Sequence, residues 1–335
     1  MRSLFVLLLS CGIATAQAEV SVRDDSGVSV RLPSPAKRIV SLAPHATENL
    51  FAAGAGGQLV GVVEYSDFPA AARAIRRVGN YARPDLEAIV ALKPDLVVAW
   101  QSGNADATLS RLSALGLTVY QTQPDHLDDI PANIEKLGRL AGTEATANRE
   151  AAAFRKRLAA LRKQYATRPA VPVFYQAWHQ PLLTVGGDQI ISDVISLCGG
   201  RNIFAGLTAK APTVSVEAVL AAAPEAIVAS GMGRDTPVGL DDWRQWKKLH
   251  AVARNNLFFV PADLMQRPTP RLLDGAEQLC RHLETARGRR KMHPQLRYAR
   301  NRSARKRAIK QGYCDKRVLD QGEHGANCQK EEMPR

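Results

Sequence analysis

Residues 85–99 read DLEAIVALKPDLVVA, and residues 215–229 read SVEAVLAAAPEAIVA, so the two stretches align without a gap. Asp85 and Ser215 are typical N-cap residues, and a glutamate follows two positions later in each copy, where the helix dipole favours a carboxylate. A proline ends each helix, and the apolar run after it has the length and β-branched content of a buried strand. This helix–strand unit, repeated once far along the chain, predicts two similar lobes.

Strand and helix patterns alternate through both parts of the chain. The strand-like runs are 38–43, 59–63, 95–99 and 117–121, then 172–177, 226–230 and 257–260. The helix-like runs are 45–53, 85–92, 104–115 and 127–140, then 188–197, 215–222 and 271–286. Such alternation predicts an α/β fold with two Rossmann-like lobes, each a central parallel sheet covered by helices.

Residues 143–167 contain neither proline nor glycine, and their apolar residues Phe154, Leu158, Leu161 and Tyr165 fall on one helical stripe. We therefore predict a helix of about six turns between the lobes. The predicted boundaries are 19–142 for the N-terminal lobe, 143–168 for the connecting helix and 169–286 for the C-terminal lobe. A single long helix is a stiff connector, so we expect a ligand cleft between the lobes that opens little.

The formal charge of +13 is concentrated at one end of the chain. Residues 286–335 hold 15 Lys and Arg against 5 Asp and Glu, a net charge of +10, which leaves +3 for the other 285 residues. We expect 287–335 to be a basic, disordered tail. It is either an appendage without function or a segment attracted to anionic lipid headgroups. Nucleic-acid binding through the tail is disfavoured because the rest of the chain is nearly neutral.

The first 18 residues have the pattern of a secretory signal peptide. A short positive start precedes the apolar run Leu4–Leu9, and small residues mark a cleavage site near Ala18. Cys11 lies in a loose lipobox, but the apolar run before it is short, so we expect an exported protein rather than a lipid-anchored one. Export permits disulfides, and Cys198 and Cys280 are then either paired or two buried free thiols.

Aromatic residues follow several of the predicted strands. Tyr65, Trp100 and Trp178 each come just after a strand, and Tyr81 precedes the helix that begins after Asp85. Ligands of open α/β sheets bind beyond the carboxyl ends of the strands. Each aromatic alone is also consistent with a packed loop residue, but together they predict a cleft whose walls suit a large, flat, partly apolar ligand.

Polar residues at the same ends are further candidates. His45 follows the first strand of the N-terminal lobe and is either a polar cleft residue, a hydrogen-bond donor to the ligand or an axial metal ligand. Asp263, Arg267 and Arg271 follow the last strand, and they either present polar groups to a ligand or cap the next helix. Catalytic motifs and paired metal-ligand spacings are missing, so we predict a carrier without enzyme activity, resident metal or cofactor.

With these residues in view, the chain resembles the periplasmic vitamin B12 (cobalamin)-binding proteins of ABC importers, which belong to the helical-backbone, TroA-like substrate-binding proteins. The resemblance covers about residues 36–285. Its most specific segments are RIVSLAP at 38–44, YSDFP at 65–69, the block 87–100, CGGRNIF at 198–204 and the block 215–228. It implies two α/β lobes joined by one long helix, in a monomer that delivers cobalamin to the permease and ATPase of the inner membrane.

The resemblance also implies roles for individual residues. The family's corrin-contacting aromatics match Tyr65, Tyr81 and Trp100, and its polar ligand contacts match Asp263 and Arg267. The family disulfide matches Cys198 and Cys280. Two surface glutamates that meet arginines of the permease match Glu87 and Glu217. For each glutamate alone the alternative is dipole stabilisation, worth about 0.3–1 kcal/mol at a surface.

The sequence departs from the family pattern where tryptophans are familiar, with Leu264, Ala211 and Tyr81 in their places and an aromatic shifted to Trp178. Related proteins with the same frame carry haem or iron–siderophores, so these ligands remain alternatives. For haem, His45, Tyr65 or Tyr81 would be the axial ligand.

Overall fold

A computed structural model of the chain describes residues 19–231 and 239–290. The predicted signal peptide, including Cys11, and most of the predicted basic tail lie outside these ranges. Residues 19–283 belong to one compact unit. Within the described residues, no helix has the length and apolarity that a membrane span requires.

The N-terminal lobe contains a parallel four-stranded sheet. Its elements are β1 Val20–Arg23, β2 Ser29–Leu32, β3 Ile39–Ser41, α1 Pro44–Ala52, β4 Leu59–Val62, α2 Leu86–Ala91, β5 Leu96–Trp100, α3 Asp106–Ala114, β6 Val119–Thr122 and α4 Asp129–Ala141. The sheet order is β4-β3-β5-β6, and all three pairings are parallel. Strands β1 and β2 form a separate antiparallel hairpin that the sequence analysis did not predict.

The C-terminal lobe repeats this plan. Its elements are β7 Val171–Gln176, α6 Ile190–Leu197, β8 Gly200–Asn202, α7 Val216–Ala222, β9 Ala226–Ala229, α8 His250–Ala253, β10 Leu257–Phe259, α9 Ala262–Met265 and α10 Leu272–Arg290. The sheet order is β10-β9-β7-β8, again with parallel neighbours. Because both sheets are covered by helices, their central strands are mostly apolar, as in β9, whose four residues are all apolar and buried. The predicted α/β class with two parallel-sheet lobes is confirmed.

One long helix, α5 (Glu144–Tyr165), lies between the two sheets in the chain. Its predicted stripe is buried, with Phe154, Leu158, Leu161 and Tyr165 all at most 6% exposed. The helix carries arginines that pair with both lobes: Arg155 donates to Glu135 of α4, and Arg157 donates to Asp274 and Glu277 of α10. The described helix falls inside the predicted interval 143–168; the exact lobe boundaries stay predictions.

Candidate functional site

A cavity of about 380 Å³ opens at the carboxyl ends of the strands, between the two lobes. Residues from both lobes line it: Pro44, His45, Tyr65, Asp67, Tyr81 and Trp100 from the N-terminal lobe, and Gly231, Pro261, Ala262, Asp263, Gln266 and Arg267 from the C-terminal lobe. We call this cavity the interlobe cleft. Six of the seven residues predicted for ligand binding line it.

Three aromatic side chains form the N-terminal wall of the interlobe cleft. Tyr65 and Tyr81 are 63% and 41% exposed, which is unusual for side chains of this size in a folded protein. The rings of Tyr81 and Trp100 lie 5.8 Å apart at an angle of 50°. Large aromatic surfaces that remain open to solvent in a cavity are suited to cover the face of a flat ligand.

Asn104 holds this aromatic wall together, and the sequence analysis missed it. Its side chain is 3% exposed and accepts a hydrogen bond from the backbone N–H of Trp100 at 2.7 Å. Its amide donates to the carbonyl of Tyr81 at 2.6 Å and to that of Leu42 at 3.2 Å. Gly103 is required next to it, because a Cβ there would lie 1.8 Å from the Trp100 ring.

His45 lies at the inner edge of the interlobe cleft, at the start of α1. Its ring is packed edge-on against Trp100, with 5.2 Å between the ring centroids. Burial, and then the positive charge of Arg267, lower the pKa of His45 to about 3. The imidazole is therefore neutral at physiological pH. Its Nε2 atom is buried and has no hydrogen-bond partner in the part of the chain that the structure describes.

The floor of the interlobe cleft is a cluster of charged side chains from both lobes. Arg267 donates to Glu48 of α1 at 2.8 Å and to Asp67 at 2.9 Å, and it forms an ion pair with Asp263 at 3.0 Å. Arg271 donates two hydrogen bonds to Glu48, at 2.8 and 2.9 Å. We call these five residues the floor cluster. Its three carboxylates and two guanidinium groups give a net charge of −1 when all are ionised.

The contact between Asp67 and Arg267 favours the ionised form of both residues. Burial alone would raise the pKa of Asp67, but its hydrogen bond with Arg267 and the charge of that guanidinium lower it overall. Burial opposes the charge on Arg267, yet its bonds to Glu48 and Asp67 raise its pKa. Glu48 is not among the residues predicted for the site, since nothing in the local sequence marks a glutamate as buried.

Trp178 is the one predicted ligand residue that does not line the interlobe cleft. It is 40% exposed, and its indole N–H donates to the carbonyl of Gln180 at 2.9 Å. Its neighbour Ala177 does reach the site indirectly, because its carbonyl accepts a hydrogen bond from the cleft residue Gln266 at 3.2 Å. Ligand binding by Trp178 stays a prediction.

Glu87 and Glu217 occupy matching positions on α2 and α7. The side chain of Asp85 accepts from the N–H of Ala88 at 3.0 Å, and that of Ser215 accepts from the N–H of Ala218 at 3.2 Å. In each lobe the helix runs antiparallel to the strands of the parallel sheet. Its N-terminus therefore lies near the carboxyl ends of the strands. Both glutamates are exposed, and neither has an ion-pair or side-chain hydrogen-bond partner within residues 19–231 and 239–290.

The C-terminal lobe is cross-linked by a disulfide between Cys198, at the end of α6, and Cys280 of α10. Both residues are fully buried. The bond joins positions 82 residues apart and ties the last helix to its own lobe, in agreement with the family disulfide that the resemblance implies.

Two larger grooves lie on the C-terminal lobe alone, beside α7. Their volumes are about 500 and 410 Å³, and Trp246 lines both, while Glu217 lines the smaller one. Neither groove brings the two lobes together or contains a cluster like that at the cleft floor. Among the described residues, no three His, Cys, Asp or Glu side chains converge as a metal site.

Comparison with known proteins identifies related sequences over most of the chain. A family model described as periplasmic binding protein matches residues 39–264. The vitamin B12-binding protein of Vibrio cholerae is 43% identical over 255 residues, which are 76% of this chain and 91% of that protein.

Solved structures show the same fold. The periplasmic vitamin B12 binding protein BtuF of Vibrio cholerae superposes with a TM-score of 0.69 at 42% identity, covering 76% of this chain and 98% of that one. The periplasmic heme-binding protein RhuT from Roseiflexus sp. RS-1 has a TM-score of 0.66 at 23% identity, covering 75% of this chain and 99% of its own. At that identity the second similarity concerns the fold alone.

Proposed function

The chain belongs to the periplasmic binding protein family, and we propose that it captures vitamin B12 or a related corrinoid in the periplasm and delivers it to an ABC import permease. Proteins of this family bind a substrate rather than convert it. The vitamin B12-binding relatives, which match most of the chain, support the choice of ligand.

The observation that carries the proposal is the pairing of an aromatic wall with a charged floor in the interlobe cleft. Tyr65, Tyr81 and Trp100 offer apolar surface for the face of a corrin ring. Asp67 and Asp263, on the floor of the cavity, offer acceptors for the amide N–H groups that fringe this ring. The cleft therefore matches a large ring with an apolar face and an uncharged polar rim.

The charges of the floor cluster favour this amide-fringed ligand over haem. The two propionates of haem would require cations that are free to pair with them. Arg267 and Arg271 already pair with Glu48, Asp67 and Asp263, and the cluster is net negative. Of the three candidate axial ligands for haem, His45 has a buried Nε2 atom, whereas Tyr65 and Tyr81 are open to the cleft, so the preference rests on the charges of the floor cluster.

Side-by-side calorimetric titration with cyanocobalamin, dicyanocobinamide and hemin tests the ligand. We expect cyanocobalamin to bind with a stoichiometry of one. Dicyanocobinamide, which lacks the nucleotide loop but keeps the corrin, should bind as well if the ring is the recognised part. Binding of hemin alone, or of an iron–siderophore in a parallel titration, would contradict the proposal.

For delivery, we propose that Glu87 and Glu217 dock on the permease, one from each lobe. Three observations support this role: the two residues occupy equivalent positions, both are exposed, and neither carboxylate has a partner among the described residues. An unpaired exposed carboxylate at the start of a helix can accept an arginine of a partner without first breaking another ion pair. Two such anchors fit a permease that presents matching basic sites.

A further inference from the structure

Arg267 connects the C-terminal lobe to three different groups of the N-terminal lobe. It follows α9 in the chain, yet its guanidinium donates to the carboxylates of Glu48 and Asp67, at 2.8 and 2.9 Å. A further N–H donates to the backbone carbonyl of Tyr65 at 3.2 Å. Only 14% of the Arg267 side chain is exposed. One largely buried side chain thus spans the bottom of the interlobe cleft.

Glu48 is the acceptor that holds this arginine. Its side chain is 2% exposed, and its two oxygens receive three hydrogen bonds, one from Arg267 and two from Arg271. The next residue adds a neutral contact, because the amide of Asn49 donates to the carbonyl of Pro268 at 3.0 Å. Helix α1 is therefore joined to residues 267–271 by charged and neutral bonds.

The same contacts reach the aromatic wall through Tyr65. This residue has φ of +63°, in the left-handed region that side chains other than glycine rarely adopt. Its carbonyl accepts from Arg267 and from the N–H of Asp67 at 3.0 Å, so both bonds stabilise this backbone conformation. The Tyr65 ring, presented by that conformation, lines the cavity.

We propose that Glu48 is a positioning residue for ligand capture: by holding Arg267 and Arg271, it fixes the separation of the lobes at the cleft floor and presets the Tyr65 loop. The inference rests on the proposed capture of a corrinoid. Its consequence is a cleft that is complete before the ligand arrives. A protein in which only a fraction of molecules has the complete cleft binds more weakly by that fraction.

A second interlobe contact provides a matched control. Lys210 donates to Asp125 at 2.5 Å, on the other lobe, and both side chains are partly exposed. Neither residue lines the interlobe cleft or contacts the floor cluster. Removing this ion pair loosens a contact between the lobes without touching the ligand wall.

The test compares Glu48→Gln and Glu48→Asp with Lys210→Gln by stopped-flow binding of cyanocobalamin and by calorimetric stoichiometry. We expect Glu48→Gln to raise Kd at least 10-fold, mainly through slower association, with stoichiometry still near one. Glu48→Asp keeps the charge but cannot reach both arginines, so a 3- to 10-fold effect is expected. Lys210→Gln should stay within 2-fold of wild type.

A purely structural role would lower the melting temperature while leaving the association rate of the folded molecules unchanged, and that outcome would overturn the inference. An equal loss in Lys210→Gln would overturn it too, by making general tethering of the lobes the cause. If Glu48→Gln does not fold, Glu48→Asp decides alone, and binding within 2-fold of wild type contradicts the role. Failure of the wild-type protein to bind cyanocobalamin would instead refute the proposed function.

Discussion

Helices α2 and α7 begin in the same way, whereas the strands β5 and β9 that follow them end in different chemistry. In the N-terminal lobe the unit ends at Trp100, whose ring lines the interlobe cleft. The aligned position in the C-terminal lobe is Ser230, a small buried residue, followed by the cleft residue Gly231. The repeated unit is alike where it carries Glu87 and Glu217 and unlike where the two lobes face each other.

This difference separates two tasks on one duplicated scaffold. A two-fold partner needs equivalent surface groups on both lobes, and a flat asymmetric ligand needs one apolar wall and one polar wall. The C-terminal lobe accordingly contributes Asp263, Gln266 and Arg267 to the cleft but no aromatic lining residue among those described.

The largest effect is expected at the N-termini of α2 and α7, which are equivalent in the two lobes. The double substitution Glu87→Lys and Glu217→Lys reverses both docking charges, so uptake of labelled cyanocobalamin by cells should be lost. Affinity of the purified protein should change less than 2-fold, because neither residue lines the interlobe cleft. The single variants should have similar, partial effects. Loss of capture in the double variant would contradict a role restricted to docking.

The disulfide should stabilise the C-terminal lobe against unfolding. Replacing Cys198 and Cys280 by serine removes a cross-link between residues 82 positions apart. In the chain-entropy model this lowers the free energy of unfolding by roughly 4–5 kcal/mol. Urea denaturation with a fluorescence probe measures the change. A loss below about 1 kcal/mol would show that burial alone holds α10 against its lobe.

The substitution Trp100→Ser gives the N-terminal lobe the residue that the C-terminal lobe has at the aligned position, Ser230. We expect the Kd for cyanocobalamin to rise about 30-fold or more, since truncation of a central aromatic contact costs about 2 kcal/mol or more. Trp246→Ser is the control, because this tryptophan is 39% exposed and lies outside the interlobe cleft. Equal losses in both variants would argue against the ligand wall.

The pH dependence of stability tests His45 at the edge of that wall. Its pKa is lowered to about 3 by burial, so the unfolded chain takes up the proton first as the pH falls. The stability contributed by the neutral ring is present above the unfolded pKa of about 6.5 and is lost as the pH falls toward 3. Between pH 6.5 and 5, wild type should therefore lose about 2 kcal/mol relative to His45→Gln.

His126 is the matched control for this measurement. Its hydrogen bond with Asp193 raises its pKa, so its contribution has the opposite sign: it is present at low pH and is lost as the pH rises through the raised pKa. Because the His126 side chain is 52% exposed, the effect should stay below about 1 kcal/mol. Urea denaturation of His45→Gln and of the matching variant His126→Gln, each at several pH values, separates the two contributions. A His45→Gln profile parallel to wild type would contradict the buried neutral imidazole.

The repeated helix–strand unit was predictable because its determinants are local. A cap, an amphipathic turn, a proline and an apolar strand follow each other within 15 residues, and the described elements begin within two residues of their predicted starts at α2 and α7. The β1–β2 hairpin also has a local signal, the alternating valines around the turn at Asp24–Gly27, although it is not among the predicted strands. Strand β8 has three residues and no apolar run, so no pattern marked it.

The floor cluster could not be predicted in the same way. Glu48 meets Arg267 across 219 positions of sequence, and no local pattern distinguishes a glutamate that is buried against an arginine from one that is solvated. Strand-end aromatics were easier to find, since the carboxyl edge of a parallel sheet gathers whatever follows its strands. Asn104 lies between these cases: an amide four residues after a strand is ordinary in sequence, and only its three contacts identify it.

The ion pairs of α5 and those of Glu48 differ in their exposure to dissolved salt. Arg155, Arg157 and Arg162 make half-exposed ion pairs on the outer surface, and mobile salt ions weaken contacts of that kind. The Glu48 pairs are shielded from solvent and from the same ions. A rise in the salt concentration around the protein should therefore weaken the ion pairs that join α5 to the two lobes, while the pairs of Glu48 keep their strength.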